Sequence, residues 1–229
     1  MARRIKRVQP KKVIYVFWEG ESEQAYSSFL KREFEDRASL HLHHEKVLFY
    51  GAKAYARSAS FKSIIQELDE IWFFFDKELE MSEKWDEYMN CLKELKKIQG
   101  QRTSVRVRLL MTSCCIEYWL LLHFRRTAPA LALPSDKERM LTELRKEEAD
   151  YQKGDYASTA RIASRYLEAT ANGAWTLERL IPEGIPSTGT NSTQNRDHWL
   201  FQNQYTFTTV HEAVQFLQDL PKLKDSLRG

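Results

Sequence analysis

Two continuous apolar runs constrain the fold of this chain more than any other feature of its sequence. The first is VIYVFW at residues 13–18, and the second is IWFFF at residues 71–75. Runs of this length that are rich in β-branched and aromatic residues are typical of strands buried on both faces. Such strands occur in parallel sheets covered by helices, so the sequence predicts an α/β protein.

Each of these runs ends on carboxylates. Glu19 follows the first run, and Asp76 and Glu78 follow the second. Ligands of open α/β sheets bind beyond the carboxyl ends of the strands, which is where these acids fall. If the two strands are neighbours in the sheet, Glu19 and Asp76 come within reach of one metal ion. Hard divalent ions such as Mg²⁺ take carboxylate oxygens, so the three acids are candidate metal ligands.

The first half of the chain alternates between strand and helix patterns. The predicted strands span about 12–18, 45–50, 71–75 and 105–111, and the predicted helices span about 22–36, 61–68 and 82–98. Connections of helical length between successive strands favour right-handed parallel crossovers. The pattern therefore predicts a mostly parallel, four-stranded sheet flanked by helices.

The character of the sequence changes after Phe124. Helical patterns recur at 136–149, 158–171 and 208–217. Residues 181–206 are rich in Pro, Gly, Ser, Thr, Asn and Gln, and this composition predicts a long loop. The predicted organisation is a catalytic core over residues 1–124, with a helical and loop extension over 125–229 packed on the core.

The composition is typical of a soluble globular protein, with 42% hydrophobic and 29% charged residues among 229. The longest apolar run is too short to span a bilayer, so no membrane association is predicted. The basic start of the chain lacks an apolar signal core, and three cysteines give no disulfide framework. These features predict a cytoplasmic protein.

The basic residues are unevenly distributed, although a net charge of +3 permits nucleic-acid binding without demanding it. Six of the first twelve residues are basic, and further arginines cluster near the middle of the chain. One interpretation is a solvated arm and ordinary surface arginines. The other is a surface that holds a phosphate backbone beside an acidic pocket. The candidate nucleic-acid-binding residues are Arg3, Arg4, Lys6, Arg7, Arg106, Arg108, Arg125 and Arg126.

Further acids lie beside predicted buried surface. Glu21 and Glu23 open the first helix, where the helix dipole favours negative charge, so capping is an alternative to metal binding. Glu117 begins an apolar stretch, where capping is again a rival, yet an acid beside so much buried surface normally needs a partner. Divalent ions held by such acids would stabilise a phosphoryl transition state and activate a water molecule.

Three segments of the chain resemble the RloB-like proteins of prokaryotic defence islands. They are VFWEGESE at 16–23, the strand that ends in DKE at 76–78, and SCCIEYWLLLHF at 113–124. Weaker similarities follow at 151–153 and 203–211. The resemblance thus covers nearly the whole chain, and it implies a Toprim-like fold.

The resemblance also implies a metal-dependent nucleic-acid enzyme related to the overcoming-lysogenization-defect nucleases. By resemblance Glu19 is the Toprim glutamate, Asp76 and Glu78 occupy the Asp-x-Asp pair, and Glu117 is an added acidic position of the nuclease branch. The predicted catalytic residues are Glu19, Asp76, Glu78 and Glu117, and the predicted ligands of Mg²⁺ or Mn²⁺ are Glu19, Glu23, Asp76 and Glu78. The implied role is antiphage defence, with RNA, including transfer RNA, or DNA as substrate and a partner ATPase in some members.

The sequence departs from the family pattern at two places. Glu78 stands where the second aspartate is usual, and Cys114-Cys115 stands where Asn-Pro follows Ser113. These departures motivate an alternative in which the chain is a degenerate, non-catalytic Toprim module that binds nucleic acid or a partner protein. A phosphatase or nucleotidyl-transfer enzyme that acts on small nucleotides is a third alternative, because it would share the metal site.

Overall fold

The computed structural model describes residues 10–78, 82–99, 105–187 and 193–222. Within these ranges, four strands form one sheet in which neighbouring strands run parallel. The strands are β1 (Lys12–Trp18), β2 (Ala38–His44), β3 (Glu70–Lys77) and β4 (Arg106–Ser113), in the order β2-β1-β3-β4. The predicted α/β class and the parallel four-stranded sheet are confirmed, and the arrangement is consistent with a Toprim-like fold.

The helices of the described residues lie on both faces of this sheet. In chain order they are α1 (Glu21–Glu33), α2 (Leu48–Tyr55), α3 (Ala59–Ile64), α4 (Ser82–Gln99), α5 (Ile116–Leu121), α6 (Asp136–Glu147), α7 (Tyr156–Ala163), α8 (Tyr166–Glu178), α9 (Thr193–Gln202) and α10 (Val210–Asp219). Apolar residues of α1, α5, α6, α7 and α10 form one core with the sheet, and those of α2, α3 and α4 form the other.

Alternation along the central strands sends side chains into both cores. Trp72 and Phe74 of β3 face the core that contains Trp119. Phe73, one residue further along, faces the other core and stacks on Phe17 of β1 with 5.3 Å between ring centroids. A strand that is buried on both faces needs an apolar residue at nearly every position, which explains the continuous runs.

The second strand was predicted at the wrong place. Residues 45–50 do not form a strand: β2 ends at His44, and Leu48–Tyr55 is the helix α2. Because β2 is an edge strand, it carries polar residues, two of them exposed (His41 and His44), so it lacks a continuous apolar run. Leu48, Phe49 and Ala52 bury one side of α2 at helical spacing, and this short apolar cluster was mistaken for a strand.

Two predictions for the second half of the chain are also corrected. The single helix predicted at 158–171 is two helices, α7 and α8, and the loop predicted at 181–206 contains α9. The remaining helix patterns correspond to α6 and α10. In the described ranges, no helix combines the length and apolar character that crossing a bilayer requires.

The extension contributes to the same cores as the sheet. Thr208 forms an isolated antiparallel bridge with Thr112 of β4. The hydroxyl of Thr209 donates to the carbonyl of Leu109 and accepts from the backbone N–H of Met111, each at 2.8 Å. These bonds place α10 directly beside β4, while the predicted domain boundary at residue 124 stays a prediction.

Candidate active site

The acids predicted from the sequence lie at or near the carboxyl edge of the sheet. Because β3 lies between β1 and β4, the residues that follow these three strands meet at this edge. Glu19 follows β1, Asp76 is the penultimate residue of β3, and Glu117 is in the first turn of α5, just after β4. Glu23 joins them from the first turn of α1.

Asp76 is the centre of the acidic group. It shares a hydrogen bond with the Glu23 carboxyl group and accepts another from the backbone N–H of Ile116. Burial, followed by the negative charges of Glu23 and Glu117, raises the pKa of Asp76 well above its usual value. A carboxyl group in this environment retains a proton at a pH where an exposed aspartate has lost it.

Glu23 folds back over the start of its own helix. Its side chain is buried and hydrogen-bonds its own backbone N–H, which is one of the unpaired donors at a helix N-terminus. Burial, followed by the charge of Glu117, raises the pKa of Glu23. Gly20 leaves the room for this arrangement, since a Cβ atom there would lie 2.3 Å from Oε2 of Glu23.

Glu117 is almost fully buried and is held by residues of the extension. Its Oε1 accepts hydrogen bonds from the hydroxyl of Tyr151 at 3.2 Å and from Oγ of Ser22 at 3.4 Å. Nζ of Lys153 lies 3.6 Å from the same oxygen. The expectation that this acid needs a partner is met, and sequence reasoning did not identify Tyr151 or Lys153 as that partner.

The carboxylates of Glu19 and Glu78 are held by partners other than Glu23 and Asp76. Oε1 of Glu19 accepts a hydrogen bond of 2.6 Å from the backbone N–H of Leu48 at the start of α2, and it lies 3.7 Å from Nζ of Lys84. Glu78 is exposed and pairs with Lys137. Glu19, Glu78 and Glu117 each lie close to a lysine. The lysines are Lys84, Lys137 and Lys153 in turn, and none of them was predicted from the sequence as the partner of an acid.

A cleft of about 660 Å³ opens at the end of β3, next in sequence to Asp76, which does not line it. Its walls include Lys77, Glu78, Cys114, Lys137 and the segment 131–134. Cys114 has φ 70°, in the left-handed region that asparagine adopts more readily than cysteine. The departure from the Asn-Pro of the family pattern thus places a strained residue in the wall of the cleft.

The acidic group has the chemistry of a hard-cation site but not a preformed shell. Within the described ranges, no three His, Cys, Asp or Glu side chains converge closely enough to hold a metal ion. Glu23 and Asp76 are in contact, and both have raised pKa values because they are buried beside other negative charges. A divalent cation would replace the shared proton and relieve this repulsion, so the oxygen donors fit Mg²⁺ or Mn²⁺.

The predicted nucleic-acid-binding arginines occupy different environments. Arg106 is exposed, whereas Arg108 is buried in an ion pair with both carboxylate oxygens of Glu70, at 2.5 and 2.8 Å. Arg125 pairs with Glu143 and Glu147, and Arg126 lies over the ring of Trp175. The remaining candidates, Arg3, Arg4, Lys6 and Arg7, lie outside the described residues.

The fold and the site define an α/β protein whose parallel sheet carries a buried acidic group at its carboxyl edge. The model of the RloB-like protein family matches residues 14–217, so the chain belongs to the RloB-like family. This match confirms the resemblance seen in the sequence. No curated protein and no solved structure matches the chain significantly.

Proposed function

We propose that this chain is a metal-dependent, Toprim-type endonuclease that cleaves nucleic acid in antiphage defence. The observation that supports the proposal most strongly is the contact between Glu23 and Asp76, with Glu117 close enough to raise both pKa values. Buried acids of like charge are costly to keep together, and they are found where a cation or a proton transfer gives them a role.

In this proposal Asp76, Glu23 and Glu19 would hold a divalent ion, and Glu19 would then exchange its contact with Lys84 for the ion. The ion would supply Lewis-acid stabilisation of the phosphoryl group and would lower the pKa of a water molecule. Glu117 positions the site through Tyr151 and Ser22, since its oxygen is already engaged by both hydroxyls.

The lysines in the cleft complement the acids. Lys137 pairs with Glu78. Partial burial lowers the pKa of Lys137, but the hydrogen bond with Glu78, followed by the charges of Glu78 and Asp76, raises it overall. Its ammonium group would neutralise a phosphate in the cleft. Nζ of Lys77 instead donates to the carbonyl of Asn203 at 2.7 Å, which fixes the loop before Phe207 against the end of β3.

The proposed substrate is RNA, including transfer RNA, or DNA. The proposal also includes a partner ATPase as one option.

A second candidate function is a non-catalytic module that binds nucleic acid or a partner protein. The lysine contacts of Glu19 and Glu78 favour it, because these ion pairs satisfy two of the predicted metal ligands without a metal. This alternative predicts binding that is independent of divalent ions and falls strongly with salt, and it predicts no turnover.

The test is incubation of the purified protein with labelled total transfer RNA, single-stranded RNA and plasmid DNA, in Mg²⁺, Mn²⁺ or EDTA. The variants are Glu19→Ala and Asp76→Asn, and the matched control is Asp86→Asn on the exposed side of α4. The proposal predicts fragments that EDTA abolishes, that both site variants lack and that the control retains. Fragments that persist in both site variants would exclude this mechanism, and no cleavage of any polymer would favour the module.

A further inference from the structure

The segment 122–128 runs alongside helix α8. Near the middle of the helix, Asn172 donates from Nδ2 to the carbonyl of Leu122 at 2.8 Å. At the end of the helix, Arg179 donates to the carbonyl of Ala128 at 3.4 Å. The segment and the helix therefore form one continuous surface.

Three exposed arginines stand along this surface, each against an aromatic ring. Arg165, just before α8, lies 4.8 Å from the ring centroid of Phe124. Arg126 and Arg179 each lie 5.6 Å from the ring centroid of Trp175. We call Arg126, Arg165 and Arg179 the arginine row.

The arginines of the row differ from neighbouring arginines in their ion pairing. Arg125 pairs with Glu143, and Arg161 pairs with Glu148. Among the described residues, no carboxylate lies within ion-pair distance of any arginine in the row. Contact with a ring engages the face of a guanidinium. Arg126 also donates from Nε to Oδ1 of Asn172 at 3.3 Å, and Arg179 donates to Ala128, so the remaining edge N–H groups are those available to an anion. The row is thus a positive surface with ordered side chains.

The row extends along helix α8, from Arg165 just before the helix to Arg179 just after it. Helix α8 has 13 residues, which corresponds to a length of about 20 Å. The segment continues beyond Ala128 to residues 131–134, which form a wall of the cleft that Glu78 and Lys137 also line. A polymer that follows the row past Arg179 would therefore approach the candidate active site.

We infer that the arginine row binds the phosphate backbone of single-stranded nucleic acid outside the cleft and directs the polymer toward it. Guanidinium edges bind phosphate oxygens, and a positively charged surface that follows the backbone is typical of sites for single-stranded nucleic acid. The choice of a nucleic acid over another polyanion rests on the proposed function. The inference adds Trp175, Arg165 and Arg179 to the predicted interface and removes Arg125 from it.

The test measures fluorescence anisotropy of a labelled single-stranded RNA and a DNA of the same sequence, in EDTA so that no cleavage occurs. The variants are Arg126→Gln, Arg165→Gln and Arg179→Gln. We expect each to weaken binding about fivefold and to lower the slope of log affinity against log salt by about 0.7. Arg125→Gln removes the same unit charge from the adjacent position, and we expect its affinity to stay within about twofold of the wild type.

Several results would overturn the inference. They are unchanged affinity in all three row variants, an equal loss in Arg125→Gln, and displacement of the oligonucleotide by polyglutamate as readily as by unlabelled oligonucleotide. Binding through the row without cleavage of any polymer would contradict the proposed function alone. If the wild type cleaves nucleic acid and the row variants cleave it at the same rate and bind it with the same affinity, this inference alone is contradicted.

Discussion

Glu23 and Asp76 hydrogen-bond to each other at the carboxyl edge of the sheet, although both side chains are carboxylic acids. Two carboxyl groups in contact share a proton more favourably than they carry two charges. A cation that binds to these carboxyl groups must displace the proton, so cation binding and proton release are coupled. This relationship links the stability of the fold to the proposed chemistry of the site.

The first prediction concerns the pH dependence of stability. A raised pKa in the folded state means that the folded protein binds the proton more tightly than the unfolded chain does. The proton bound by Asp76 therefore stabilises the folded protein fully below the ordinary pKa of an aspartate, 3.8. This stabilisation is lost as the pH rises through the pKa that Asp76 has in the folded protein. Asp76→Asn mimics the protonated form, so we expect the variant to gain about 1 kcal/mol over the wild type at pH 8, roughly 2–4 °C in Tm.

Thermal denaturation of both proteins between pH 4.5 and pH 8 checks this prediction. The two curves should converge toward the acid end and separate toward pH 8. Asp86→Asn, which is exposed, should follow the wild type throughout. A variant that is less stable than the wild type at pH 8 would show that Asp76 is an ordinary ionised carboxylate.

The second prediction concerns Gly20. A methyl group there meets Oε2 of Glu23 at 2.3 Å, so Gly20→Ala should push the Glu23 carboxyl group away from Asp76. Misplacement of a reacting group by about 1 Å can cost about 100-fold in rate, and we expect cleavage to fall about 10- to 100-fold. The Glu23→Asp background supplies the control, because the shorter side chain removes the clash. Equal effects of Gly20→Ala in both backgrounds would contradict this explanation.

The third prediction separates Arg108 from the nucleic-acid interface. Arg108 binds both carboxylate oxygens of Glu70, and Nε1 of Trp72 donates to the same carboxylate at 2.6 Å. Arg108→Ala leaves a buried carboxylate without its counter-ion, so we expect a loss of about 3–5 kcal/mol in the free energy of unfolding. Arg106→Ala, on the same strand but exposed, should change it by less than about 0.5 kcal/mol. Urea denaturation measures both, and equal small effects would disprove the structural role.

The fourth prediction concerns acid sensitivity. His123 is fully buried beside Trp119 and Tyr26, and burial lowers its pKa to about 3. The unfolded chain therefore binds a proton near pH 6.5 that the folded chain does not, so stability is lost as the pH falls below 6.5. His123→Gln should reduce this loss between pH 6.5 and pH 4, while the exposed His41→Gln should not. Burial also lowers the pKa of His211 to about 4, so His211 should account for part of the stability loss that remains in His123→Gln.

The central part of the fold could be predicted from the sequence because β1 and β3 need apolar residues at almost every position. The edge strand β2 could not, because its pattern is set by exposure on one side. The positions of Asp76 and Glu19 at strand ends follow directly from the runs. Their partners do not, since Lys84 reaches Glu19 only through the packing of α4 beside α2.

The environment of Glu117 shows the same limit. Ser22 precedes it by 95 residues and Tyr151 follows it by 34, and both hydroxyls converge on one oxygen. No local pattern predicts such a meeting. The similarity at 151–153 marked the right segment, but only the packing of α7 against α1 brings Tyr151 and Lys153 to the acid.

The most direct test of the account is a calorimetric titration of Mn²⁺ into the wild type, Asp76→Asn and Asp86→Asn at pH 7.5. We expect the wild type and Asp86→Asn to bind the ion with the same affinity, and Asp76→Asn to bind it about 10- to 100-fold more weakly. Binding should also release protons, because the ion replaces the proton shared by Glu23 and Asp76. Equal affinity in Asp76→Asn and the wild type would contradict the claim that these carboxyl groups form a divalent-cation site.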